Sequence, residues 1–277
     1  MTSQPPPISV VMPVYNGAQY IGQCIGSLLG QSFPDFELII VNDASTDDTV
    51  KVVESFSDPR IRLVHNERNL KISATINHGL ELARGKYIAL ANHDDIFHQN
   101  RLEKEYAFLE RNPGLSGVGS WYKEIDAAGN FLRLVKTPSE PEAIAIRTII
   151  ENSMANSSVM LSAGVFRKIG AYDPEILSGL EDWDLYSRMI IAGLKIYNMK
   201  VPLMVYRNYP ESYSRSTGLA RREKEQNELT WRNLKGMAGL EFTLEQTALL
   251  VNARYHPNML TAETLAEALE ISEVFIK

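Results

Sequence analysis

Short apolar runs alternate with segments of helical spacing through residues 8–91, and this alternation constrains the fold more than any other feature. The runs have the length of buried strands, and they lie at residues 8–12, 36–41, 61–65 and 87–91. Strands that alternate with helices of this length form right-handed βαβ units around a mainly parallel sheet. The sequence therefore predicts an α/β fold in which helices flank a mainly parallel mixed sheet.

Polar segments directly follow three of these predicted strands. They are Pro13–Asn16, Asn42–Ser45 and Asn92–Asp95. Ligands of parallel α/β sheets bind beyond the carboxyl ends of the strands, where successive loops meet. We therefore expect the three segments, although distant in sequence, to line one crevice.

Two adjacent carboxylates, Asp94 and Asp95, stand in the last of these segments, directly after a buried strand. An unpaired buried ion is costly, and a divalent cation is the usual compensation because Mg²⁺ and Mn²⁺ prefer oxygen ligands and bridge to substrate phosphates. A second interpretation needs no metal: the two residues form a turn and cap the next helix. The residues alone do not decide between a cation site and a turn.

The composition is that of a globular protein with one large domain, or one domain with an appendage. The 277 residues are 44% hydrophobic and 22% charged, which suffices for a sizeable core. The formal net charge of −6 argues against a general nucleic-acid-binding protein, which needs a basic excess. The single cysteine, Cys24, excludes an internal disulfide and a cysteine-based zinc site, and its helical spacing predicts a small buried core residue.

No stretch has the pattern of a targeting or membrane segment. Residues 1–7 lack a basic region followed by an apolar one. No run approaches the roughly 18 apolar residues that span a bilayer. We therefore expect a soluble, cytoplasmic protein.

The second half of the chain is less regular and ends in helical patterns. A last strand is predicted over 201–206, and helical spacing follows at 221–237, 243–252 and 261–274. These helices would form an appendage on the core or a surface for a partner chain. The acidic residues of the final segment make it a poor match for an anionic bilayer.

Capping boxes mark two helix starts. In such a box the first side chain binds the N–H of the fourth residue, and the fourth side chain binds back. Ser45–Asp48 predicts a helix that continues to about Ser55, and Thr243–Gln246 predicts one near the C-terminus.

Five segments occur in an order that is typical of one enzyme family. They are Val10–Asn16, Gln31–Thr49, Asn69–Asn77, Gly85–Asp95 and Glu181–Arg188. Together they closely resemble the inverting nucleotide-sugar glycosyltransferases of family two, which have the GT-A fold. The resemblance covers roughly residues 8 to 210 of this chain. It implies a Rossmann-like, mainly parallel mixed sheet flanked by helices.

The resemblance also implies a division of the chain. A GT-A glycosyltransferase domain is expected over residues 1–217, with a nucleotide-binding half at about 8–97 and an acceptor half at about 98–217. A C-terminal helical extension is expected over residues 218–277.

For the nucleotide, the resemblance assigns Pro13, Tyr15 and Asp43 to the base. A carboxylate can accept a hydrogen bond from the ring N–H of uracil or thymine, and a tyrosine ring can stack on the base. The alternative for Asp43 is that it only caps the helix after Ser45. The family often has aspartate where Asn42 stands, and this departure weakens the match.

The metal motif of the family matches residues 92–95, where Asn92 replaces a common aspartate. The resemblance implies that Asp95 binds Mn²⁺ or Mg²⁺ directly and that Asp94 faces the ribose or the waters of the metal. His93 is expected to be a polar spacer, because neutral imidazole is a poor ligand for Mg²⁺. The ion would neutralise the diphosphate and act as a Lewis acid on its leaving oxygen.

Asp182 matches the catalytic base of the family, which deprotonates the acceptor hydroxyl across the crevice from the metal. General-base catalysis typically contributes about 10²–10⁴-fold. The alternative is that Glu181 and Asp182 only complement the N-terminal dipole of a helix. Four residues are assigned to the acceptor or diphosphate side, namely Glu181, Trp183, Asn156 and Arg207. A core position is an equal alternative for Trp183, and Arg215 is an alternative to Arg207.

The resemblance predicts a metal-dependent enzyme that moves a sugar, with inversion, from a UDP- or dTDP-linked donor to a hydroxyl acceptor. The acceptor would be a saccharide or glycolipid in the assembly of surface polysaccharide or glycolipid. A single addition is favoured because the Gln-x-x-Arg-Trp signature of processive synthases is absent. We further expect no nucleic-acid partner, peripheral association with the inner face of the membrane, and a homodimer through the C-terminal helices.

Two other functions stay open. A sugar nucleotidyltransferase would also need a metal and such a sheet, but the sequence lacks a glycine-rich, lysine-bearing phosphate loop near the N-terminus. A nucleotide-sugar-binding or scaffold protein without catalysis is favoured by the departures from the family pattern at Asn42, Asn92 and Lys71.

Overall fold

The computed structural model describes residues 4–210 and 218–255, and the strands of this part of the chain form one sheet. The strands are β1 (Ile8–Val14), β2 (Phe36–Asn42), β3 (Ile61–His65), β4 (Tyr87–Leu90), β5 (Ile96–Phe97), β6 (Gly117–Ile125), β7 (Phe131–Val135), β8 (Met160–Ser162) and β9 (Ile196–Arg207). The helices are α1 (Ile21–Leu29), α2 (Thr49–Glu54), α3 (Ile72–Leu82), α4 (Arg101–Arg111), α5 (Pro141–Thr148), α6 (Ala163–Ile169), α7 (Glu181–Ile191), α8 (Leu219–Ala238) and α9 (Leu244–Tyr255), with a 3₁₀ turn at Asn156–Ser158.

The sheet is mixed, with a parallel block at one side. Its strands follow one another in the order β3, β2, β1, β4, β8, β6, β9 and β5, and β7 pairs with β6 beside this path. β1 to β4, β6 and β9 run in one direction, whereas β5, β7 and β8 run against their neighbours. The predicted α/β fold with a mainly parallel mixed sheet is confirmed.

Two apolar layers cover the sheet, one on each face. Successive side chains of a strand point to opposite faces. On β1, Val10 and Met12 therefore join the buried residues of α1, α2 and α4, whereas Val11 joins those of α3, α5, α6 and α7. Cys24 lies fully buried in the first of these layers, which confirms the predicted core position.

The carboxyl ends of β1, β2, β3 and β4 meet at one edge of the sheet, because these strands are parallel neighbours. Val14 pairs with Asn42, and Asn42 pairs with His65, so the loops after β1, β2 and β3 begin side by side. The loop after β4 begins beside them, since β4 pairs with β1. The three polar segments singled out in the sequence therefore share this edge.

The helix start predicted at Ser45–Asp48 is wrong. α2 begins at Thr49, and the Thr49 N–H donates to Asp47 Oδ1 (3.0 Å). The Ser45 hydroxyl accepts a hydrogen bond from the N–H of Asn16 in the loop after β1 (2.9 Å). A bond between two loops of the sheet edge thus replaces the local cap, and such a contact is invisible to a rule based on local sequence.

β9 extends further toward the N-terminus than the predicted strand at 201–206. Its first part pairs with β6, and polar side chains such as Asn198 and Lys200 interrupt the apolar pattern there. β5 pairs with β9 through Ile96 and Phe97. A strand of this length carries no periodicity, so no pattern indicated it.

α8 and α9 lie in the region where the sequence predicts C-terminal helices. The capping box at Thr243–Gln246 is confirmed, because the Thr243 N–H donates to Gln246 Oε1 (3.0 Å) and the Gln246 N–H donates to Thr243 Oγ1 (3.1 Å). The helix predicted over 261–274 lies outside the described residues. None of the helices in the described part of the chain combines the length and apolar character that a membrane span requires.

Candidate functional site

A cavity of about 880 Å³ opens at the carboxyl edge of the sheet. Its walls come from the loops after β1, β2 and β4, from the start of α3 and from the segment after β9. Pro13, Tyr15 and Asp43, which were assigned to the base, line this cavity together with Thr75 and Tyr209. The structure thus brings residues of distant motifs around one space that is large enough for a small organic ligand.

The loop after β1 follows a tight course along the cavity. Asn16 has a φ of +50°, and its Oδ1 accepts a hydrogen bond from the N–H of Thr46 (2.8 Å). A Cβ on Gly17 would lie 2.4 Å from the His93 ring, so a side chain there would displace His93. Tyr15 remains 46% exposed, and its ring is therefore available to a stacked partner.

Asp43 is almost fully buried and holds the loop that follows β3. Its Oδ1 accepts hydrogen bonds from Asn66 Nδ2 (2.8 Å) and from the N–H of Leu70 (2.8 Å). Its Oδ2 accepts one from the N–H of Lys71 (3.0 Å). The bonds of Asp43 therefore go to the loop before α3, and not to the helix after Ser45 as the alternative interpretation had it.

Asp94 and Asp95 have different surroundings. Asp95 is 1% exposed, and its carboxylate accepts hydrogen bonds from the N–H of Arg207 (3.2 Å) and from the Ser157 hydroxyl. Burial, and then the charge of Asp94, hold the pKa of the Asp95 carboxyl well above its usual range. Asp94 Oδ2 accepts a hydrogen bond from the hydroxyl of Tyr209 (2.8 Å), which lines the cavity.

The two carboxylates fit an oxygen-preferring cation as part of its ligand set. Within the described residues, no three His, Cys, Asp or Glu side chains converge as metal ligands. Mg²⁺ and Mn²⁺ need fewer, because such ions bind one or two carboxylates and complete their shell with substrate phosphates and water. Asp95 also forms a turn, since its N–H donates to Asn92 O (3.3 Å), but the N-cap residue of α4 is Asn100. The carboxylates therefore cap no helix.

Arg207 is bound to protein groups rather than directed at a phosphate position. It is 4% exposed, and its Nε donates to the main-chain oxygen of Asp94 (3.2 Å). Its Nη1 donates to Ala127 O (3.3 Å), and its Nη2 donates to Gln23 Oε1 (2.9 Å). The diphosphate contact expected from the sequence is not what the structure shows, because Arg207 instead joins the metal motif to the β6–β7 turn and to α1. Arg215 lies outside the described residues.

α7 begins with the neighbouring carboxyls of Glu181 and Asp182. Asp182 accepts hydrogen bonds from Asn152 Nδ2 and from the N–H of Trp183 (2.8 Å each), yet burial raises its pKa to about 6. Glu181 Oε2 has no hydrogen-bond partner within the described residues, and burial, then the charge of Asp182, raises the pKa of Glu181 to about 8. A helix N-terminus alone would lower both pKa values, so desolvation dominates, and Asp182 ionises in the range that suits a general base.

Residues 152–158 connect the candidate base with the candidate metal ligand. At one end Asn152 binds Asp182, and near the other end Ser157 binds Asp95. Neither Asp95 nor Asp182 lines the 880 Å³ cavity itself. The structure therefore joins the two carboxylates, which are far apart in sequence, through one short segment.

Two residues expected on the acceptor side are held inside the protein. Asn156 Oδ1 accepts hydrogen bonds from the hydroxyls of Tyr172 (2.8 Å) and Tyr186 (3.1 Å). Trp183 is 1% exposed, and its Nε1 donates to the main-chain oxygen of Thr148 (2.7 Å). Trp183 thus has the core position that the sequence left as an alternative, and Asn156 supports two buried tyrosines.

Sequence reasoning missed two residues at this edge, Tyr209 and Asn66. Tyr209 belongs to the polar segment that begins at the end of β9, in which only Arg207 and its alternative Arg215 were predicted as site residues. Asn66 directly follows β3, as Asp43 follows β2. The rule that polar residues at strand ends build the site would have found Asn66 if it had been applied to the third strand.

Comparison with known proteins gives one consistent family. Residues 9–169 match the sequence family described as Glycosyl transferase family 2. The putative glycosyltransferase EpsE of Bacillus subtilis (strain 168) is 32% identical over 215 residues, which cover 76% of each chain. The uncharacterized glycosyltransferase MJ1057 of Methanocaldococcus jannaschii is 32% identical over 212 residues, 73% of this chain and 71% of that protein. For three Rickettsia relatives, the match spans 31% of the relative's length.

Solved structures show the same fold at low sequence identity. Staphylococcus aureus TarS 1–349 in complex with UDP-GlcNAc has a TM-score of 0.72 at 17% identity, over 95% of this chain and 79% of that chain. The mannosyltransferase PcManGT of Pyrobaculum calidifontis, in complex with GDP-Man and Mn²⁺, has a TM-score of 0.62 at 15% identity, over 99% of this chain and 82% of that chain. The expected GT-A fold is thereby confirmed.

Proposed function

Because this chain belongs to glycosyltransferase family 2, we propose that it transfers a sugar from a UDP- or dTDP-linked donor to the hydroxyl of a saccharide or glycolipid, with inversion at the anomeric carbon. The proposal rests on the residues that line the 880 Å³ cavity. Tyr15 and Asp43, the proposed base contacts, line it, and so does Tyr209, which binds Asp94 next to the proposed metal ligand Asp95.

The proposed base contacts are Pro13, Tyr15 and Asp43. The exposed ring of Tyr15 would stack on the base, and a ring N–H of uracil or thymine would donate to the Asp43 carboxylate. Structural neighbours hold UDP-GlcNAc in one case and GDP-Man in another, so the fold alone does not choose the base. The preference for a pyrimidine rests on the Asp43 carboxylate, which can accept the single ring N–H of uracil or thymine.

Asp95 is the residue proposed to bind Mn²⁺ or Mg²⁺ directly, and Asp94 is proposed to face the ribose or the waters of the metal. A bound ion would neutralise the diphosphate and favour departure of the nucleotide. The protein supplies a buried and a partly accessible carboxylate, and Arg207 and Tyr209 orient them through Asp95 Oδ1 and Asp94 Oδ2. The use of a divalent cation is supported by PcManGT, which shares the fold and is in complex with GDP-Man and Mn²⁺.

Asp182 is proposed as the general base. The acceptor oxygen would form a bond to the anomeric carbon while the bond from that carbon to the diphosphate oxygen breaks, and the hydroxyl proton would pass to Asp182. One displacement of this kind inverts the configuration. Asn152 and the N–H of Trp183 fix the Asp182 carboxylate, and its pKa of about 6 leaves it ionised at neutral pH.

The proposal is tested by nucleotide binding and by transfer. With Mn²⁺ present, calorimetry should show UDP binding to the wild-type protein, and Asp95→Ala should weaken it at least tenfold. Asp48→Ala, which removes an exposed carboxylate at the start of α2, is the matched control. Unchanged UDP affinity in Asp95→Ala would remove Asp95 from the metal site.

Transfer is followed as UDP release from a donor panel with saccharide acceptors. Asp182→Asn should keep donor binding and lose at least about 10²-fold in rate, because an amide cannot take the proton. Full turnover by Asp182→Asn would exclude Asp182 as the base.

A further inference from the structure

We propose that Asn66 is a positioning residue that orients Asp43 for a base with a single ring N–H. The inference rests on the proposed function, because it takes Asp43 as the residue that receives the base. The Asn66 side chain does not line the 880 Å³ cavity. Asn66 is 7% exposed and lies at the end of β3, behind the cavity wall that Asp43 forms.

The Asp43 carboxylate has room for one more hydrogen bond. An ionised carboxylate offers about four acceptor positions, two on each oxygen. Within the described residues, Oδ1 accepts from Asn66 Nδ2 (2.8 Å) and from the Leu70 N–H (2.8 Å), and Oδ2 accepts from the Lys71 N–H (3.0 Å). The position left for a ligand is therefore on Oδ2.

Every polar group of the Asn66 side chain is used. Nδ2 donates to Asp43 Oδ1 and to Thr75 Oγ1 (3.2 Å), and Oδ1 lies 2.7 Å from His78 Nδ1. Because a carboxylate can only accept, the amide must turn its NH₂ group toward Asp43 and its oxygen toward His78. His78 Nδ1 must then carry the hydrogen that it donates to Asn66 Oδ1.

Asn66 differs from the other two donors in what it is attached to. Leu70 and Lys71 donate from the main chain of the loop that Asp43 itself holds, and Lys71 has a φ of +70°. The N–H of Asn66 donates to Asn42 O (2.9 Å), which ties it to β2, and its side chain is tied to α3 through His78. Asn66 thus fixes the carboxylate relative to the sheet and the helix, and not merely relative to a loop.

One free acceptor position selects among bases. Uracil and thymine present one ring N–H, which Oδ2 can accept. Guanine presents a ring N–H beside an amino group, and pairing both donors needs both carboxylate oxygens, of which Oδ1 is already occupied by two protein donors. The geometry therefore favours a uridine or thymidine diphosphate over a guanosine diphosphate.

The test compares UDP with N3-methyl-UDP, in which the ring N–H is replaced. In the wild-type protein with Mn²⁺, N3-methylation should weaken binding about tenfold or more, as expected for the loss of a hydrogen bond to a charged group. In Asn66→Ala, UDP affinity should fall, and the penalty for N3-methylation should shrink to less than about threefold, because the carboxylate is no longer oriented.

Asn233→Ala is the matched control, because Asn233 is also a buried asparagine, its Nδ2 donates to Thr148 O (3.0 Å), and neither residue lines the cavity. It should leave the penalty unchanged. If Asn66→Ala does not fold, His78→Ala takes its place, because it removes only the hydrogen bond from His78 to Asn66 Oδ1 and should likewise shrink the penalty for N3-methylation. His78→Asn, whose amide can donate in place of Nδ1, should restore that penalty.

Equal losses for UDP and N3-methyl-UDP in Asn66→Ala, or in His78→Ala where that variant replaces it, would overturn the inference, since a purely structural defect affects both ligands alike. Wild-type protein that binds UDP and N3-methyl-UDP equally would overturn it as well. Wild-type protein that binds no UDP would instead overturn the proposed function, so the two failures are distinguishable.

Discussion

Asp182 owes its raised pKa to burial, and this sets a lower pH limit for the proposed transfer. The carboxyl must be ionised to accept the proton, so the active fraction falls as the pH drops through about 6. We expect kcat/KM to decrease about tenfold per pH unit below that value, in a profile measured between pH 4.5 and 8. An ordinary aspartate with a pKa near 3.9 would keep its activity over most of that range.

UDP affinity, measured at each pH, separates loss of the base from loss of donor binding. A rate that stays constant down to pH 4.5 while UDP remains bound would contradict the assignment of Asp182.

Sequence patterns locate side chains that stand at strand ends, and they fail for side chains whose roles depend on packing. Tyr15 and Asp43 follow predicted strands, and the structure has both at one cavity. Arg207 also follows a predicted strand, yet its guanidinium is bound by Asp94, Ala127 and Gln23. Nothing in a linear pattern distinguishes an arginine that faces a ligand from one whose guanidinium is bound by main-chain and side-chain oxygens of three segments.

Among the elements, α4 carries an unusual charge pair inside the core. Arg101 and Glu105 are both fully buried, and Arg101 Nε lies 3.2 Å from each carboxylate oxygen of Glu105. The Nη2 of Arg101 donates to Leu90 O (3.1 Å) and Val159 O (3.3 Å). Arg101 thus fastens α4 to β4 and to the residue that precedes β8, while burial raises the pKa of Glu105 to about 7.

Removing one partner of this pair should be far more damaging than removing both. Arg101→Met leaves Glu105 buried without its cation, and we expect it to lower the free energy of unfolding by about 3–5 kcal/mol. Arg101→Met with Glu105→Leu should recover most of that loss. Urea unfolding measures both, and Lys104→Met on the exposed side of α4 should stay within about 0.5 kcal/mol of the wild type. A double variant as unstable as the single one would contradict this account.

Element prediction succeeded where apolar spacing is strong and failed where another element supplies the bonds. β1 to β4 and α1 are amphipathic or wholly apolar, and they follow the predicted pattern. The predicted start of α2 was wrong because the Ser45 hydroxyl binds the N–H of Asn16 instead of capping the helix. β9 was underestimated because its polar residues pair with β6, and Asn198 donates to Pro138 O (2.9 Å) inside the protein. Partners of this kind become known only in three dimensions.

At the scale of the whole molecule, α8 supports the loop that leads into α7. The Glu225 carboxylate accepts hydrogen bonds from the N–H (3.2 Å) and hydroxyl of Ser178 and from the N–H of Leu177 (3.5 Å). Leu177 lines the 880 Å³ cavity, and Asp182 follows a few residues later. A helix of the C-terminal region is therefore part of the support of the candidate site.

Glu225→Ala should lower the rate of transfer more than it lowers the affinity for UDP. Three bonds to the loop are lost, whereas Asp43 and Tyr15 stay in place, so we expect a rate loss of about tenfold or more with UDP affinity within about threefold. Glu228→Ala on the same helix, which loses only an exposed ion pair, is the control. Equal effects of the two variants on the rate would show that the loop does not depend on Glu225.

The contacts of Arg207 also determine when the site can form as the protein is made. Its N–H meets Asp95 across 112 positions of sequence, and its Nη2 meets Gln23 across 184. Chains emerge from the ribosome beginning at the N-terminus, and contacts of long sequence separation close last. The first four strands are therefore synthesised before β9, and the hydrogen bond that holds Asp95 can form only once Arg207 at the end of β9 is present. The proposed donor site would therefore be complete only after the residues of β9 have been synthesised.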